Sequence, residues 1–361
     1  MEKLRIGILG VGYTIGVARN HADAIAKNPR AELTAIYDIV PGRAAEWKAK
    51  NNLPENVAAC DTPEQFYGLV DAVDITVPNA MHVAEIEKAL EAGKHVICEK
   101  PLSVSVAEAQ KAVDCHTRHK NLTAVMVLNY IDWPAFKWIK DYMDSGKMGR
   151  LFASRHILGG SRIANPEGVR LEWRMQEILS GTGALADFGV HMLYLADNMY
   201  RKTQGEICEI CAMTATRITE RYMEDRPDVK AAVTNDDCAA FSAKTENGAL
   251  LSFMASRVGS FHRLEVIGEG GMIIYEGNNN RVLLQEKDKK GGYGGRGDFA
   301  AFDIPEEFRG ENGHEGVVNQ LVDGVLDGKP VTKTFEMGVY YQKILDACKE
   351  SAAAGHVIRL K

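Results

Sequence analysis

Three side chains in this sequence have the types and positions to take a proton from a hydroxyl. Lys100 stands in AGKHVICEKPLSV, at the end of the apolar run His95 to Cys98. An ammonium group carried to the end of a buried strand is costly unless it is paired or used. Asp187 and His191, in SGTGALADFGVHMLYLADNMY, are four residues apart at the start of an amphipathic stretch, so they share one helix face. A neutral imidazole titrates in the range needed to accept a hydroxyl proton as the carbon gives up hydride. A carboxylate can orient the imidazole or the substrate, and a nearby cation stabilises the developing alkoxide. Each residue also has a plainer reading: Lys100 with Glu99 as a surface turn stopped by Pro101, Asp187 as a helix cap, His191 as a satisfied core histidine. Lys100 must leave its strand and be followed at once by a turn toward a helix near Ser105. X–Pro is the one place where a cis bond costs only ~0.5–1 kcal/mol, so a cis Lys100–Pro101 peptide is expected, with the ammonium facing a cleft near His191.

The elements that must position these groups follow from the apolar pattern. LRIGILG, ELTAIYD, AVDITVP, KHVICEK and LTAVMVL read as strands, several of them apolar at every position as in a parallel sheet covered on both faces. Amphipathic stretches lie between them. MHVAEIEKALEAG repeats Val83, Ile86 and Leu90 at helical spacing and stops at Gly93, and VSVAEAQKAVDCHTRH has Ser105 as its cap. In such a doubly wound sheet, ligands sit at the carboxyl ends of the strands, where Lys100, Pro78 and Asn79 emerge. GILGVGYTIG places Gly10 and Gly12 directly after the first strand and before a helix, where backbone N–H groups can hold a pyrophosphate. The glycine spacing is irregular, with Ile15 where a third glycine belongs and Gly16 after it. Tyr13, Thr14 and Ile15 therefore join Gly10 and Gly12 as phosphate-contact candidates. Asp38 ends the next strand, positioned to accept from ribose hydroxyls and to repel a 2′-phosphate. The expected cofactor is NAD rather than NADP, although nearby Arg43 leaves some NADP use open.

After about residue 128 the texture changes. A helix in WPAFKWIKDYMDSGKMG is followed by RLFASRHILGG, a loop, and then a series of strand-like runs from about 206 to 285 with short links such as ENGA and EGGM. These read as hairpins of an antiparallel sheet. KDKKGGYGGRGDF is flexible by composition, a mobile loop or else a lid or subunit-contact arm. Two helices close the chain, from about Gly313 to Asp327 and Glu336 to Ala354. With 361 residues there is enough chain for two cores. We expect an α/β protein with domains at 1–128 and 129–361, the last helix packing back toward the first domain. A net charge of −6 argues against a nucleic-acid partner. No run approaches the ~20 apolar residues of a membrane span. MEKLRIGILGVG imitates a signal peptide, but glycines interrupt its short apolar part, and we read it as a strand. Seven scattered cysteines suit a reducing cytoplasm. Cys208 and Cys211 fall on a strand that points them to opposite faces, so no metal site is expected.

Together the glycine turn, VPNAMH, AGKHVICEKPLS, DSGKMGRL, EWR, GTGALADFGVH and NGALLSF resemble the glucose–fructose oxidoreductase/inositol dehydrogenase (Gfo/Idh/MocA) family along nearly the whole chain. The resemblance implies a Rossmann domain followed by an α+β domain with a large, open, mostly antiparallel sheet that commonly joins subunits. A homo-oligomer, dimer or tetramer, is therefore expected. It also implies Lys100, Asp187 and His191 as a catalytic trio, with Asn79, His82 and Glu99 shaping the cofactor site. The chain departs from the family at two places: the glycine turn is lengthened, leaving His21 farther from Gly10 than usual, and Ile131 replaces a common arginine. Asn129 or Tyr130 then becomes a substrate or nicotinamide contact. His156, Trp173 and Arg174 are further substrate candidates, since an aromatic face and a guanidinium suit sugars, with sheet-face and core packing as the alternatives for His156 and Trp173. The expected activity is hydride transfer between a nicotinamide and a secondary hydroxyl of a sugar, glycoside or cyclitol. A redox glycosidase or lyase working through a transient keto-sugar, and a non-catalytic NAD-binding regulator, fit the same residues. Which sugar, and which carbon, is not legible.

Overall fold

A computed structural model describes residues 3–12, 16–287, 299–310 and 313–360 of the chain. Two compact units emerge: residues 1–129 with 313–342, and residues 130–312 with 343–361. The expected cut at 128/129 places 313–342 in the second domain, whereas this segment packs with the first unit. Tyr13, Thr14, Ile15 and most of the glycine-rich stretch at 287–299 lie outside the described residues.

The first unit is built on β1 (Leu4–Leu9), β2 (Ala31–Tyr37), β3 (Ala58–Cys60), β4 (Ala72–Ile75), β5 (His95–Cys98) and β6 (Ala124–Met126). They form one parallel sheet in the order β3-β2-β1-β4-β5-β6, the doubly wound arrangement. The helices between them are α1 (Val17–Lys27), α2 (Arg43–Lys50), α3 (Pro63–Gly68), α4 (His82–Glu91) and α5 (Val106–Arg118). Five strands fall where the apolar runs put them; β3, three residues long, is additional. Ser105 caps α5 as expected, its hydroxyl accepting from the Glu108 N–H at 3.3 Å. Ile6, Ile8, Ile97 and Val125 are fully buried in the sheet.

In the second unit, α6 (Pro134–Asp144) precedes β7 (Leu151–Gly159), the single turn α7 (Glu177–Ser180) and α8 (Val190–Gln204). Then come β8 (Ile207–Ala215), β9 (Glu220–Tyr222), β10 (Lys230–Ala232), β11 (Cys238–Thr245), β12 (Leu250–Ser256), β13 (Phe261–Gly268), β14 (Gly271–Glu276), β15 (Arg281–Glu286) and β16 (Ala300–Phe302). α9 (His314–Asp327) belongs to the first unit, α10 (Phe335–Ala354) follows, and β17 (Ile358–Arg359) ends the described chain. α9 lies on α1: Val317, Val318, Leu321 and Val322 bury their side chains with Ala18, Ala22 and Ile25, at roughly 1.5–3 kcal/mol for each large one. Lys27–Glu315 and Arg30–Asp327 ion pairs flank that contact.

Nine strands make the second sheet, in the order β16-β15-β14-β13-β7-β12-β11-β8-β17. The hairpins β11–β12 and β13–β14 form at ENGA and EGGM as expected. One pairing breaks the antiparallel pattern: β7 runs parallel to β12, having entered between two later hairpins. Its inner face carries the buried side chains Phe241, Phe253, Leu158 and Leu264; the turn before α8 lies against β7, β11 and β12, and α8 against β7. Along the outer face, Leu250 and Met254 of β12 and Met213 of β8 are 55%, 44% and 75% exposed.

Candidate functional site

Gly10, Pro78 and Lys100 leave the carboxyl ends of the neighbouring strands β1, β4 and β5, so they gather on one edge of the first unit. Gly10 has φ +98°, and a Cβ there would stand 2.7 Å from Val77 Cγ1 and 2.9 Å from Val77 N, so no other residue fits. Among the described residues, a Cβ at Gly12 would meet nothing within 4 Å. Asp38 is buried just past β2. Its Oδ2 accepts the Val11 N–H at 3.0 Å and its Oδ1 accepts from Val40 N at 2.9 Å and Arg43 Nη1 at 3.3 Å. The residue expected to read the ribose thus also holds the glycine turn. These features suit a dinucleotide: glycines between the first strand and a helix, with an acid at the second strand's end.

The Lys100–Pro101 peptide is cis, as expected. His82, fully buried, lies between the carbonyls of Pro101 at 2.9 Å and Val77 at 3.0 Å. Burial holds its pKa below the ordinary value, so the neutral ring donates to one of the two. It is a strut beneath the proline turn. Glu99 Oε2 accepts the Lys100 N–H at 3.0 Å, and its Oε1 accepts from His21 Nε2 at 3.0 Å. His21 Nδ1 donates to Asp74 Oδ2 at 2.6 Å. All three side chains are buried. Burial opposes a charge on His21, but the two carboxylates outweigh it and push its pKa up to about 10. Burial likewise opposes the Glu99 charge; hydrogen bonds from His21 and His314, with Lys100 nearby, hold its carboxyl well below the usual range. Donor atoms of His21, Glu99 and His314 lie within 4.8 Å of one another, close enough to hold an ion, a cluster the sequence reading does not foresee.

Sequence reasoning misses Asp74 and the bridging role of His21. The signal for Asp74 is present: a carboxylate within the apolar run AVDITV, the same anomaly that singles out Lys100. Asn79 is buried in the short turn after β4, and Asn129, also buried, ends the continuous part of the first unit.

In the second unit, Asp187 is not a helix cap. It sits within a π-helical turn, Leu185–Gly189, that runs into α8. The carboxylate of Asp236 caps that segment instead, accepting from Gly183 N at 2.6 Å and Leu185 N at 3.0 Å. Gly183 is required there, since a Cβ would come within 1.8 Å of the Asp236 carbonyl oxygen. Asp187 Oδ2 lies 3.5 Å from Nε of Arg257, which is itself buried and donates to the Arg174 carbonyl at 2.7 Å. His191, on the first turn of α8, has Nδ1 2.6 Å from the Tyr194 phenol oxygen, and the Tyr130 ring stacks on it with centroids 4.3 Å apart. Sequence reasoning misses Tyr194 and Arg257. Trp173 and Arg174 share a 3₁₀ turn, the guanidinium 4.2 Å over the indole. His156 is a packing residue: it is 1% exposed, with Nε2 3.1 Å from His262 Nε2 and its ring beside Phe136. Burial holds His156 well below its ordinary pKa and His262 at about 4, so both rings are neutral.

Residues 4–127 match the model of an oxidoreductase family with an NAD-binding Rossmann fold, and residues 136–274 match the Gfo/Idh/MocA C-terminal domain. The chain belongs to the Gfo/Idh/MocA family. Among its relatives is the levoglucosan dehydrogenase of Pseudarthrobacter phenanthrenivorans, 27% identical over 98% of this chain and 97% of that protein. A scyllo-inositol 2-dehydrogenase (NADP(+)) of Bacillus subtilis is 27% identical over 54% of this chain and 57% of its own. Among solved structures, levoglucosan dehydrogenase in complex with NADH and L-sorbose superposes with a TM-score of 0.86 at 25% identity, covering both chains completely. No helix among the described residues is long and apolar enough to cross a membrane.

Proposed function

We propose that this protein is an NAD-dependent dehydrogenase of a secondary hydroxyl on a sugar, glycoside or cyclitol. The observation that carries the reading is its full-length similarity to a sugar dehydrogenase solved with NADH and a sugar, together with a lysine at the β5 edge and a braced histidine at the start of α8. A bound nicotinamide would accept the hydride. His191 takes the hydroxyl proton on the ring nitrogen that does not face Tyr194. Lys100 holds the same hydroxyl oxygen and stabilises it as negative charge develops. Asp187, steadied by Arg257, binds a neighbouring hydroxyl. Trp173 and Arg174 contribute an aromatic face and a guanidinium to the sugar, and Asn129 contributes an amide. Asp38 favours NAD over NADP through its charge, and Asn79, His82 and Glu99 support the nicotinamide end of the site.

The outer sheet face, with Met213 and Met254 both opposite Ala240 across β11, supports a homo-oligomer joined through that face. All seven cysteines are free, which supports a cytoplasmic location. The test is a panel of levoglucosan, inositols, D-xylose and aryl glycosides with NAD and NADP, followed for both NADH and aglycone. NADH formation on a polyol or sugar is the expected result. Aglycone release without net NADH would move the chemistry to redox-assisted elimination, and no turnover with any member would overturn the reading.

A further inference from the structure

Between β7 and the turn that carries Trp173 and Arg174, residues 160–172 contain neither helix nor strand. Structureless connections of this length are uncommon in compact domains and, when ordered, are usually functional. The Arg162–Glu172 ion pair closes the loop at its base. Within it, the Asn165 side chain makes a turn by accepting the N–H groups of Glu167 at 3.0 Å and Gly168 at 3.1 Å. Its apolar interior is small: Ile163, Met175 and Val233, with Val169 and Leu171 beside them. Those side chains return less than the backbone entropy lost in ordering the loop, so a further group must hold it.

That group is Arg221, in the middle of β9 and 1% exposed. Its Nη1 donates to the carbonyls of Asn165 at 3.0 Å and Val169 at 3.2 Å, and its Nη2 donates to that of Ile163. The direction of these bonds is fixed, because a guanidinium only donates and a carbonyl only accepts. Burial works against the charge, while the carboxylates of Asp237 and Glu172 favour it. A buried cation is costly unless used, and the rigid fork of a guanidinium serves three acceptors at once. The β9–β10 hairpin that supplies Arg221 is a sheet of its own, apart from the nine-stranded one. It meets the loop again where Leu171 N donates to the Tyr222 carbonyl at 2.8 Å and the Arg170 guanidinium lies 5.3 Å over the Tyr222 ring. A lone two-stranded hairpin is marginal in water, so hairpin and loop support each other. A second buried arginine holds the end of the loop. Arg257 Nη1 and Asn235 Nδ2 donate to the Arg174 carbonyl at 2.7 and 2.6 Å, and Arg257 Nε is 3.5 Å from Asp187 Oδ2. The shape set between Ile163 and Val169 thus continues into the turn of Trp173 and Arg174 and, through Arg257, to Asp187.

We propose that Arg221 is a positioning residue for sugar recognition: by holding three carbonyls of the 160–172 loop it fixes where Trp173 and Arg174 meet the sugar, and selection among sugars resides in this loop. This role rests on the reading of Trp173 and Arg174 as sugar contacts. Arg221, buried beneath the loop, acts through it rather than on the substrate, so its loss is felt in sugar binding and not in the hydride step.

The test is steady-state kinetics on the substrate found by the panel and on its next-best sugar. Arg221→Met keeps the apolar stem and removes every donor; Arg221→Lys keeps the charge without the fork. In Arg221→Met the KM for the sugar should rise roughly 10-fold or more, with kcat within about 3-fold of wild type and the KM for NAD unchanged, the pattern of lost sugar binding. The ratio of kcat/KM between the two sugars should fall with it, and Arg221→Lys should lie between. Trypsin should cut after Arg162 or Arg170 faster in Arg221→Met than in the wild type, the sites being read by mass spectrometry; equal rates would overturn the proposal. A rise in the KM for NAD to match that for the sugar would mark a general loss of structure and would also overturn it. If Arg221→Met does not fold, Arg221→Lys and Arg170→Ala decide, the latter removing only an exposed contact with Tyr222: wild-type sugar KM and selectivity in both would refute the role. The two readings fail separately. If Trp173→Ala leaves the sugar KM unchanged, the sugar-contact reading falls; if it raises that KM and Arg221→Met does not, only the role of Arg221 falls.

Discussion

Replacing His21 by leucine would leave Asp74 and Glu99 buried without the cation between them, and the cost can be worked in two ways. Raising the imidazole pKa from 6.5 to about 10 corresponds to on the order of 5 kcal/mol, at ~1.36 kcal/mol per unit. Breaking a buried ion pair by deleting one partner costs about 3–5 kcal/mol in other proteins. The two routes agree in size, and either is a large share of a domain stability of about 5–15 kcal/mol. At about 2–4 °C per kcal/mol, His21→Leu should lower the Tm of the full chain by ~10 °C or more, read by scanning calorimetry. The pH dependence gives a sharper signature. The folded pKa of His21 is raised, so its contribution is fully present below pH 6.5 and is lost as pH rises through about 10. That of Glu99 is depressed, so its contribution is present above 4.5 and is lost as pH falls. As far as these groups decide it, the wild type should therefore lose stability as pH rises above about 6.5 and be insensitive to pH only from about 5 to 6.5. The variant should gain stability as pH is lowered across that range, because one orphaned carboxylate takes up a proton. A Tm within about 3 °C of wild type, or an unchanged pH dependence, would refute the charged bridge.

Asp38→Ser should weaken NAD and relieve the repulsion of a 2′-phosphate, raising the NADP/NAD ratio of kcat/KM; an unchanged ratio would remove Asp38 from cofactor choice. His191→Ala should cost roughly 10²–10⁴-fold in turnover, and Lys100→Met should lose turnover as well, while both retain NAD binding by fluorescence titration. Near-wild-type turnover in either variant would take that residue out of the mechanism. Dialysis against a chelator should leave turnover and Tm unchanged. Stoichiometric zinc in the purified protein, with a fall in Tm on its removal, would place an ion rather than a proton between His21, Glu99 and His314.

The parts of the fold that the sequence shows clearly are those whose cause is local. β1, β2, β4, β5 and β6 are continuous apolar runs because both faces of a parallel sheet are covered, and the hairpins announce themselves by glycine and asparagine. β3 and β17, at three and two residues, are too short to carry a period. The parallel β7–β12 pairing joins strands some hundred residues apart, and nothing near either strand encodes it. The amphipathic pattern of α9 says that one face must be buried, but not that α1 buries it. The same division holds at the site. Lys100, Asp187 and His191 are anomalies of type and spacing, so they can be read directly; Tyr194, Arg257 and His21 become visible only as their partners. Asp74 is the instructive case. A carboxylate in the middle of a strand covered on both faces must meet a cation or strong donors, and that demand can be read from AVDITV before any partner is known. His21, on the helix that follows β1, answers it, and through Glu99 the same imidazole reaches the backbone of Lys100. Two charges that look unaffordable one at a time in their strands are thus ends of one hydrogen-bonded line, which runs across the sheet edge to the residue that meets the substrate oxygen in the proposed reaction.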